Sequence, residues 1–413
     1  MTAEIITIGD ELLIGQVINT NQAFIAEELN SIGVSVERMT TVGDDENGIL
    51  VAFEAAWNRC DVIIVTGGLG PTHDDITKKA VCKFFGSDLV SDPGLRRHIE
   101  ALLQRRNVPW GPTAEEQTLV PRKARVIPNP IGTAAGMFFE EGKRSFVVLP
   151  GVPYEMREMM VQSVRPMLSR RQGETAIVHR TLRTTGISES LLMQQLGDLG
   201  TLLDGAKLAF LPAPTGVRLR ITVNGSSSAD AAARAGVVEQ RLREKIERHI
   251  YGVGGEELEE VLGRILTERK LTLSVAESCT GGLITSRITD VSGSSLYFER
   301  GVVAYSNRCK VDLLGVPAEL IEKHGAVSKE VAVAMAAGVR RMAGTAIGLS
   351  TTGVAGPTGG TPEKPVGLVW VGYADERGAM AVKFNFGDQR KQVKERAAQA
   401  ALELVRRRLL GIE

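Results

Sequence analysis

Short apolar segments that stop abruptly at glycine or hydroxyl side chains occur in both halves of this chain. Residues 61–66 are an almost wholly apolar run that leads into Gly67 and Gly68, and residues 271–276 lead into Glu-Ser-Cys-Thr-Gly-Gly at 277–282. A continuous apolar run such as that at 61–66 is typical of a parallel strand that is buried on both faces. Segments with helical spacing alternate with these runs. The sequence therefore predicts an α/β fold class built from right-handed βαβ units.

The chain is expected to contain more than one domain, because 413 residues are too many for a single hydrophobic core. The pattern changes at a polar stretch near residue 170, and a glycine-rich segment at 251–255 marks a second boundary. We expect an α/β domain over 1–170, a small α+β module over 171–252 and a second α/β domain over 253–413. The middle module has no motif with an evident chemistry, and we expect it to space the domains or to support a dimer.

Charge and composition argue against several classes of protein. Lysine plus arginine and aspartate plus glutamate both total 49, so the net charge is near zero, which argues against a dedicated nucleic-acid-binding surface. No apolar run approaches the roughly 18 residues of a membrane span, and the chain opens without a signal-peptide pattern. The four cysteines form no C-x-x-C pair. We expect a cytoplasmic protein that binds neither nucleic acid nor membrane.

The first candidate site follows the apolar run at 61–66. Glycines after a parallel strand let backbone N–H groups approach a phosphate, and the next helix begins there with its positive end. Asp74 and Asp75 could hold Mg²⁺ or Mn²⁺ against that phosphate, because carboxylate oxygens suit these ions. The alternative is a tight turn in which an aspartate caps the helix. The candidate phosphate-binding residues are Gly67, Gly68, Gly70 and Thr72.

The second candidate site lies between residues 276 and 310. The only histidine beyond residue 250 is His324, in a Lys-His-Gly sequence typical of a helix end, so a Ser-His-Asp triad is not expected. A lysine can serve as the base instead when burial or a neighbouring cation lowers its pKa. Lys310 follows an apolar strand by a few residues, and the Tyr305 phenol would orient its amine or relay a proton. The alternative is a solvated lysine beside a strand-end aromatic.

Two serines are candidate nucleophiles for this lysine. Ser278 lies at a strand-to-helix junction before Gly281 and Gly282. Backbone N–H groups there could bind a ligand or an oxyanion, and the serine could equally be a helix cap. Ser295 lies in a Ser-Gly-Ser-Ser turn shortly before Lys310, in a position where serines are commonly solvated.

The substrate of this second site is expected to carry an anion. Arg390 falls in the first turn of the last helix, where a cation opposes the helix dipole unless a phosphate or carboxylate binds beside it. The alternative is a solvated arginine in a basic stretch with Lys391 and Lys394. The candidate substrate-binding residues are Thr280, Gly281, Gly282, Thr352, Gly353, Gly356 and Arg390.

Three N-terminal motifs resemble the CinA (competence/damage-inducible) family. They are Gly-Asp-Glu-Leu-Leu at 9–13, Gly-Gly-Leu-Gly-Pro-Thr-His-Asp-Asp at 67–75 and Leu-Pro-Gly-Val-Pro at 149–153. The resemblance implies a molybdopterin-binding-like domain, similar to MoaB and MogA, that is associated with hydrolysis of ADP-ribose in the presence of Mg²⁺, Mn²⁺ or Co²⁺. It also implies that four acids are candidate ligands of a metal ion or a pyrophosphate, namely Asp44, Asp74, Asp75 and Glu155.

The C-terminal block resembles nicotinamide-nucleotide amidase, which converts nicotinamide mononucleotide and water to nicotinate mononucleotide and ammonia in pyridine nucleotide recycling. This resemblance implies an active site on Ser278, Ser295, Tyr305, Lys310 and Arg390. Of the two serines we favour Ser295 as the nucleophile, with Lys310 as its base and Ser278 as a substrate or oxyanion contact. No cofactor is expected in this domain.

The sequence thus predicts a nicotinamide mononucleotide deamidase whose N-terminal domain hydrolyses ADP-ribose with a divalent cation. Two alternatives stay open. One is a protein whose main activity is that of an ADP-ribose or dinucleotide pyrophosphatase, and the other is a pterin- or nucleotide-binding regulator without turnover. The expected partners are these small nucleotides and a second copy of the chain in a homodimer.

Overall fold

A computed structural model describes residues 1–70, 75–171 and 176–412 of the chain. In that part of the chain, no helix is both long and apolar enough to cross a membrane. The fold divides into two compact units, which are Met1–Val178 with Val223–Ala233 and His179–Thr222 with Arg234–Glu413.

The N-terminal part alternates strands and helices, as its sequence predicts. In chain order its elements are β1 (Thr2–Ile8), α1 (Asp10–Leu13), α2 (Thr20–Ser31), β2 (Ser35–Val42), α3 (Glu46–Trp57), β3 (Val62–Thr66), α4 (Thr77–Phe85), β4 (Leu89–Ser91), α5 (Pro93–Arg105), α6 (Pro112–Gln117), β5 (Leu119–Pro121), β6 (Arg125–Ile127), β7 (Gly136–Glu141), β8 (Arg144–Leu149), α7 (Pro153–Met159), a π-helical turn (Met160–Val164) and α8 (Arg165–Ser169).

A six-stranded sheet in the order β2-β1-β3-β8-β7-β6 forms the centre of the first unit. The four strands β2, β1, β3 and β8 are parallel, and β7 and β6 run against them. Apolar side chains cover both faces, with Ile25 and Met156 in one layer and Phe53 and Val81 in the other. The buried parallel strands confirm the α/β class, and their carboxyl ends lie at one edge of the sheet.

The middle part of the chain is a small α+β arrangement. Its elements are β9 (Ala176–Thr184), α9 (Glu189–Leu196), α10 (Leu199–Leu203), β10 (Lys207–Ala213), β11 (Gly216–Gly225), α11 (Ser228–Ile246), a 3₁₀ turn (Glu247–His249) and β12 (Ile250–Val253). The strands form one sheet in the order β10-β11-β9-β12, in which β10 pairs with β11 and β12 pairs with β9 in antiparallel fashion.

The C-terminal part returns to the alternating pattern. Its elements are α12 (Leu258–Glu268), β13 (Leu273–Glu277), α13 (Leu283–Thr289), a 3₁₀ turn (Ser294–Leu296), β14 (Phe298–Val303), α14 (Asn307–Leu314), α15 (Ala318–His324), α16 (Lys329–Ala343), β15 (Ile347–Gly353), β16 (Leu368–Asp375), β17 (Gly378–Asn385) and α17 (Arg390–Leu410).

The five-stranded sheet of the C-terminal part has the order β14-β13-β15-β16-β17. Strands β14, β13 and β15 are parallel, whereas β16 and β17 form an antiparallel extension. The register places Glu277, the last residue of β13, between Val303 and Thr351 on the two neighbouring strands. The loops that follow these three strands therefore begin side by side, at the edge where open α/β sheets bind ligands.

Candidate active site

A buried serine and a buried lysine meet at this carboxyl edge. Ser278 follows β13 directly and is 8% exposed, and Lys310 on α14 is 1% exposed. The Lys310 amine lies 3.1 Å from Ser278 Oγ and also donates to the carbonyl oxygens of Ala304 at 2.9 Å and Tyr305 at 3.1 Å. Burial lowers the pKa of Lys310. A lysine in this setting gives up its proton more readily than a solvated one, which suits it to act as a base toward the serine.

Local sequence explains why Lys310 points at the serine. Strand β14 ends at Val303, and Ser306 caps the next helix by accepting a hydrogen bond from Cys309 N at 3.1 Å. The sharp start of α14 places Lys310 one turn later, within reach of the two carbonyl groups that end the strand. Strand end, cap and lysine therefore act together to fix the amine.

Glu277 holds the loop that carries the serine, a role that sequence reasoning missed. Its side chain is fully buried and accepts hydrogen bonds from the backbone N–H of Gly282 at 2.9 Å, Ile284 at 3.1 Å and Thr285 at 2.8 Å. The Thr285 hydroxyl donates to the same carboxylate at 2.7 Å. An acid at the end of a buried strand, followed by a loop of small residues, is the sequence signal that could have found it.

The glycines of this loop meet a conformational requirement. Gly281 and Gly282 have φ values of 60° and 93°, which L side chains rarely adopt. Between them and the strand, Cys279 is 6% exposed, and burial raises the pKa of its thiol to about 12. The thiol is therefore protonated at neutral pH, and Ser278 is the residue of this loop whose side chain contacts the Lys310 amine.

The structure does not bring Ser295 and Lys310 together. Ser295 is exposed in the 3₁₀ turn just before β14, and Leu273 N, at the start of β13, donates to Tyr297 O at 2.7 Å. Ser295 thus lies at the amino edge of the sheet, whereas Ser278 and Lys310 lie at the carboxyl edge. A strand advances about 3.3 Å per residue, so the length of the strand separates the two edges. In the described structure Ser278, and not Ser295, therefore lies beside Lys310, and the geometry favours Ser278 over the pairing predicted from the sequence.

Tyr305 reaches the site in a different way from the one predicted. Its backbone carbonyl accepts from the Lys310 amine, while its phenol oxygen accepts from Arg390 Nη2 at 3.1 Å. Arg390, the first residue of α17, also donates from Nη1 to Gly356 O at 2.8 Å. The predicted group of Ser278, Tyr305, Lys310 and Arg390 therefore assembles, but the phenol contacts the arginine rather than the amine.

The other residues predicted for this site contact neighbouring parts of the fold. The hydroxyls of Thr280 and Thr351 share a hydrogen bond of 2.7 Å, and Thr352 donates to Ala326 O at 2.8 Å. Gly356 has a φ of 80°, and a Cβ on it would lie 2.4 Å from a methyl of Val366. These side chains fasten the loops after β13 and β15 to the core.

Two cations at the start of α17 lie at the candidate site, with Lys394 beside the serine loop and Arg390 beside Gly356 and Tyr305. Arg390 and Lys394 lie in the first two turns of that helix, and Lys394 Nζ is 3.6 Å from the position of a Cβ on Gly281. Gly353 follows on the other neighbouring strand, where a Cβ would lie 2.6 Å from Leu368 O. The loop thus combines close backbone approach with positive charge, as an anionic substrate requires.

The N-terminal glycine loop is also built for close backbone approach. Gly67 has a φ of 114°, and a Cβ there would lie 2.1 Å from Ile8 O; one on Gly68 would lie 2.2 Å from Thr77 Oγ1. Gly70 donates from its backbone N–H to Asp75 Oδ1 at 2.8 Å. Two residues predicted for this loop, Thr72 and Asp74, lie outside the described residues.

Three of the four acids predicted as metal ligands can be placed. Asp44 Oδ2 accepts from Asp10 N at 3.0 Å, and Glu155 Oε2 accepts from Asn129 Nδ2 at 2.7 Å. Asp44, Asp75 and Glu155 follow three strands of one parallel sheet, at its carboxyl edge. Among the described residues, no group of three or more His, Cys, Asp or Glu side chains could hold a metal ion. The described side chains therefore do not fit a metal centre by themselves.

Fold and site together define a multidomain α/β protein with a glycine-rich loop in its N-terminal domain and a buried serine–lysine pair in its C-terminal domain. Three family models match it. They are the probable molybdopterin binding domain at residues 4–170, the damage-inducible protein CinA KH domain at 179–252 and the CinA C-terminal domain at 255–409.

Relatives match along the full length. A CinA-like protein of Salinibacter ruber is 46% identical over 411 residues, covering 99% of this chain and 100% of the relative. A putative competence-damage inducible protein of Caldicellulosiruptor bescii is 42% identical over 410 residues, covering 99% and 100%. The chain belongs to the CinA family.

A solved structure also matches a part of the chain. The competence/damage inducible protein CihA from Agrobacterium tumefaciens is 39% identical, covers 36% of this chain and 94% of its own, and has a TM-score of 0.35.

Proposed function

We propose that the C-terminal domain is a serine amidohydrolase that converts nicotinamide mononucleotide and water to nicotinate mononucleotide and ammonia. The observation that carries this proposal is the contact of 3.1 Å between the Lys310 amine and Ser278 Oγ, both buried at the carboxyl edge of the sheet. The resemblance of the C-terminal motifs to nicotinamide-nucleotide amidase supplies the identity of the carboxamide.

The first half of the reaction forms an acyl-enzyme. The neutral Lys310 amine takes the proton of Ser278 Oγ as that oxygen attacks the carboxamide carbon. The carbonyl oxygen becomes an oxyanion, which we assign to backbone N–H groups of the serine loop; such a donor is worth about 10²–10³ in rate. The Lys310 ammonium then returns its proton to the amide nitrogen, the carbon–nitrogen bond breaks, and ammonia leaves.

The second half releases the product by the same chemistry. Lys310, now neutral again, takes a proton from water, whose oxygen attacks the ester carbon. The ammonium returns that proton to Ser278 Oγ as the ester bond breaks, which regenerates the serine and leaves the carboxylate product. Arg390 and Lys394 balance the charge of the substrate phosphate, and Arg390 is held in position by Gly356 O and the Tyr305 phenol.

Ammonia release from nicotinamide mononucleotide, measured in the presence of EDTA, tests this proposal. We expect turnover by the full chain, none above background by Ser278→Ala, and turnover close to that of the parent by Ser295→Ala, the matched control on the same domain. No release by the parent chain would refute the amidase. Release that survives in Ser278→Ala and disappears in Ser295→Ala would restore the nucleophile favoured from the sequence.

Metal-dependent hydrolysis of ADP-ribose by the N-terminal domain stays a second candidate. The observation that favours it is the loop at Gly67 and Gly68, which packs closely against the Ile8 backbone and the Thr77 side chain beside acids that follow neighbouring parallel strands. Release of AMP from ADP-ribose with Mg²⁺, Mn²⁺ or Co²⁺, compared with EDTA, tests it. Binding without turnover of either nucleotide would favour the alternative of a regulator.

Light scattering tests the homodimer that we expect.

A further inference from the structure

A cavity in the second unit lies apart from the candidate active site. Its walls include neither Ser278 nor Lys310. It has a volume of about 910 Å³ and is lined by segments 185–191 and 212–217 of the middle module together with β17 and α17. Sites for small molecules in proteins are commonly of this size. The cavity belongs to no activity proposed above.

One wall of this cavity is aromatic. The rings of Phe384 and Phe386 stack with centroids 5.3 Å apart and planes at 12°, and both rings are only partly buried. Ile187 and Pro212 line the same cavity from the middle module. Partly buried stacked rings with apolar neighbours suit a flat ring that inserts against them.

The charged side chains along α17 make the cavity cationic. Arg396, Arg407 and Arg408 all line it. Arg396 donates from Nη1 to Phe386 O at 3.1 Å, which places one guanidinium beside the aromatic wall. Arg407 Nη1 lies 3.8 Å from the position of a Cβ on Gly186, which lines the cavity from the middle module. The rise of a helix separates the first and second of these arginines by about 16 Å.

Two acids also line the cavity, and one of them is neutralised. The Glu403 carboxylate accepts from Arg406 Nε at 2.7 Å and Nη2 at 2.9 Å, and both side chains are buried. The other acid, Glu189, is exposed at the first turn of α9. With Arg406 included, four guanidinium groups stand against two carboxylates at this cavity, so its net charge is positive and favours an anion.

The wall between the arginines is fixed before any ligand binds. Gln399 is 4% exposed, donates from Nε2 to Thr185 Oγ1 at 3.2 Å and accepts from Arg287 Nη2 at 2.9 Å. Arg287 is in turn paired with Glu259 at 2.6 Å. These contacts tie the middle module to α17 and α13, so the cavity is a preformed space.

We propose that this cavity binds a small elongated anion with a flat aromatic ring, of the class of nucleoside diphosphates. The ring lies against Phe384 and Phe386 beside Arg396, and the diphosphate lies farther along α17 at Arg407 and Arg408. Guanidinium groups match the geometry of phosphate oxygens, and aromatic rings stack on a base without requiring a particular one.

The test uses ADP and adenosine as probes of the full chain in titration calorimetry, in the Ser278→Ala background so that the active site stays catalytically silent. We expect ADP to bind about tenfold or more tightly than adenosine. Ala400→Trp, which places an indole in the cavity from its α17 wall, should abolish this binding. The matched control is Ala337→Trp, which fills a separate crevice of about 520 Å³ in the same unit.

The charge assignment is tested by a double variant. In Arg407→Gln with Arg408→Gln, the advantage of ADP over adenosine should fall to less than about twofold. An ADP affinity that is unchanged by Ala400→Trp would overturn the site, and adenosine binding as tightly as ADP would overturn the anion. A change of oligomeric mass in Ala400→Trp alone would identify the cavity as a self-association surface instead. Each of these binding results can be interpreted even if the amidase assay fails, because none of them needs turnover.

Discussion

In the proposed mechanism, Lys310 is the base that activates the serine without a histidine. Its amine is buried, donates to two backbone carbonyls and touches Ser278 Oγ, and that burial lowers its pKa. The sequence predicted this residue as the base from its place after an apolar strand. It could not decide between the two serines, because a short separation along the chain does not show at which edge of the sheet a residue lies. Ser295 precedes its strand, and Lys310 follows it.

The pH dependence of turnover follows from the state of this lysine. The base is the neutral amine, so kcat/KM for ammonia release should rise with pH and level off above the pKa of Lys310. Because burial lowers that pKa, the rise should be centred below the ordinary lysine value of 10.5. Lys310→Met should lose about 10²–10⁴-fold in kcat. A rise centred at the ordinary lysine value, or one that persists in the variant, would count against this role.

Tyr305 offers a second prediction at the scale of the residue. Its backbone carbonyl supports Lys310 and survives substitution, while its phenol contacts Arg390. Tyr305→Phe should therefore raise KM for nicotinamide mononucleotide by less than about tenfold and change kcat little. Steady-state kinetics of ammonia release measure both constants. A loss of kcat by two orders of magnitude or more would instead give the phenol a direct part in proton transfer.

The element that matters most to the site is the loop from β13 to α13. Apolar runs followed by small residues predicted both β3 and β13, because a buried parallel strand leaves a strong pattern. The hydrogen bonds that fix the loop after β13 leave a weaker pattern in the sequence. Glu277 is a single acid in the sequence, and only the fold shows that its carboxylate gathers four donors from Gly282, Ile284 and Thr285.

Glu277→Gln tests how the loop is held. The amide keeps the shape of the side chain but removes the charge that four donors share, at a cost of about 1.5–3 kcal/mol in the free energy of local opening. Hydrogen exchange should accelerate in residues 278–285, and kcat should fall along with it. Exchange in the distant strand β17 serves as the internal control. Unchanged exchange in the loop, with β17 also unchanged, would show that the carboxylate is not its anchor.

At the scale of the whole molecule, the resemblance of several motifs in order along the chain predicted a CinA-family protein, and family models and full-length relatives confirm that prediction. The chain carries two glycine-bearing loops at the carboxyl ends of the parallel strands of two separate mixed sheets. Sequence could place both loops because each follows a buried strand. The sequence could not predict the cavity beside α17, because Thr185 and Gln399 lie far apart in the chain and no periodic pattern relates them.

Two sites in two units predict two separable activities. Ser278→Ala should lose ammonia release while keeping any release of AMP from ADP-ribose, and Asp75→Asn should show the reverse. EDTA should suppress only the release of AMP, since the proposed serine–lysine mechanism uses groups of the protein alone. Parallel assays of each variant on both nucleotides measure this. Loss of both activities in either variant, with the fold intact by circular dichroism, would contradict their independence.

Whether Ser278 forms a covalent acyl-enzyme decides the proposed mechanism most directly. Rapid acid quenching of the full chain during turnover of nicotinamide mononucleotide, followed by proteolysis and mass spectrometry, locates the acyl group directly. The geometry predicts an adduct on the peptide that carries Ser278 and none on the peptide that carries Ser295, with the adduct absent from Ser278→Ala. An adduct on Ser295 would contradict the assignment, and so would ammonia release from Ser278→Ala at the rate of the parent chain.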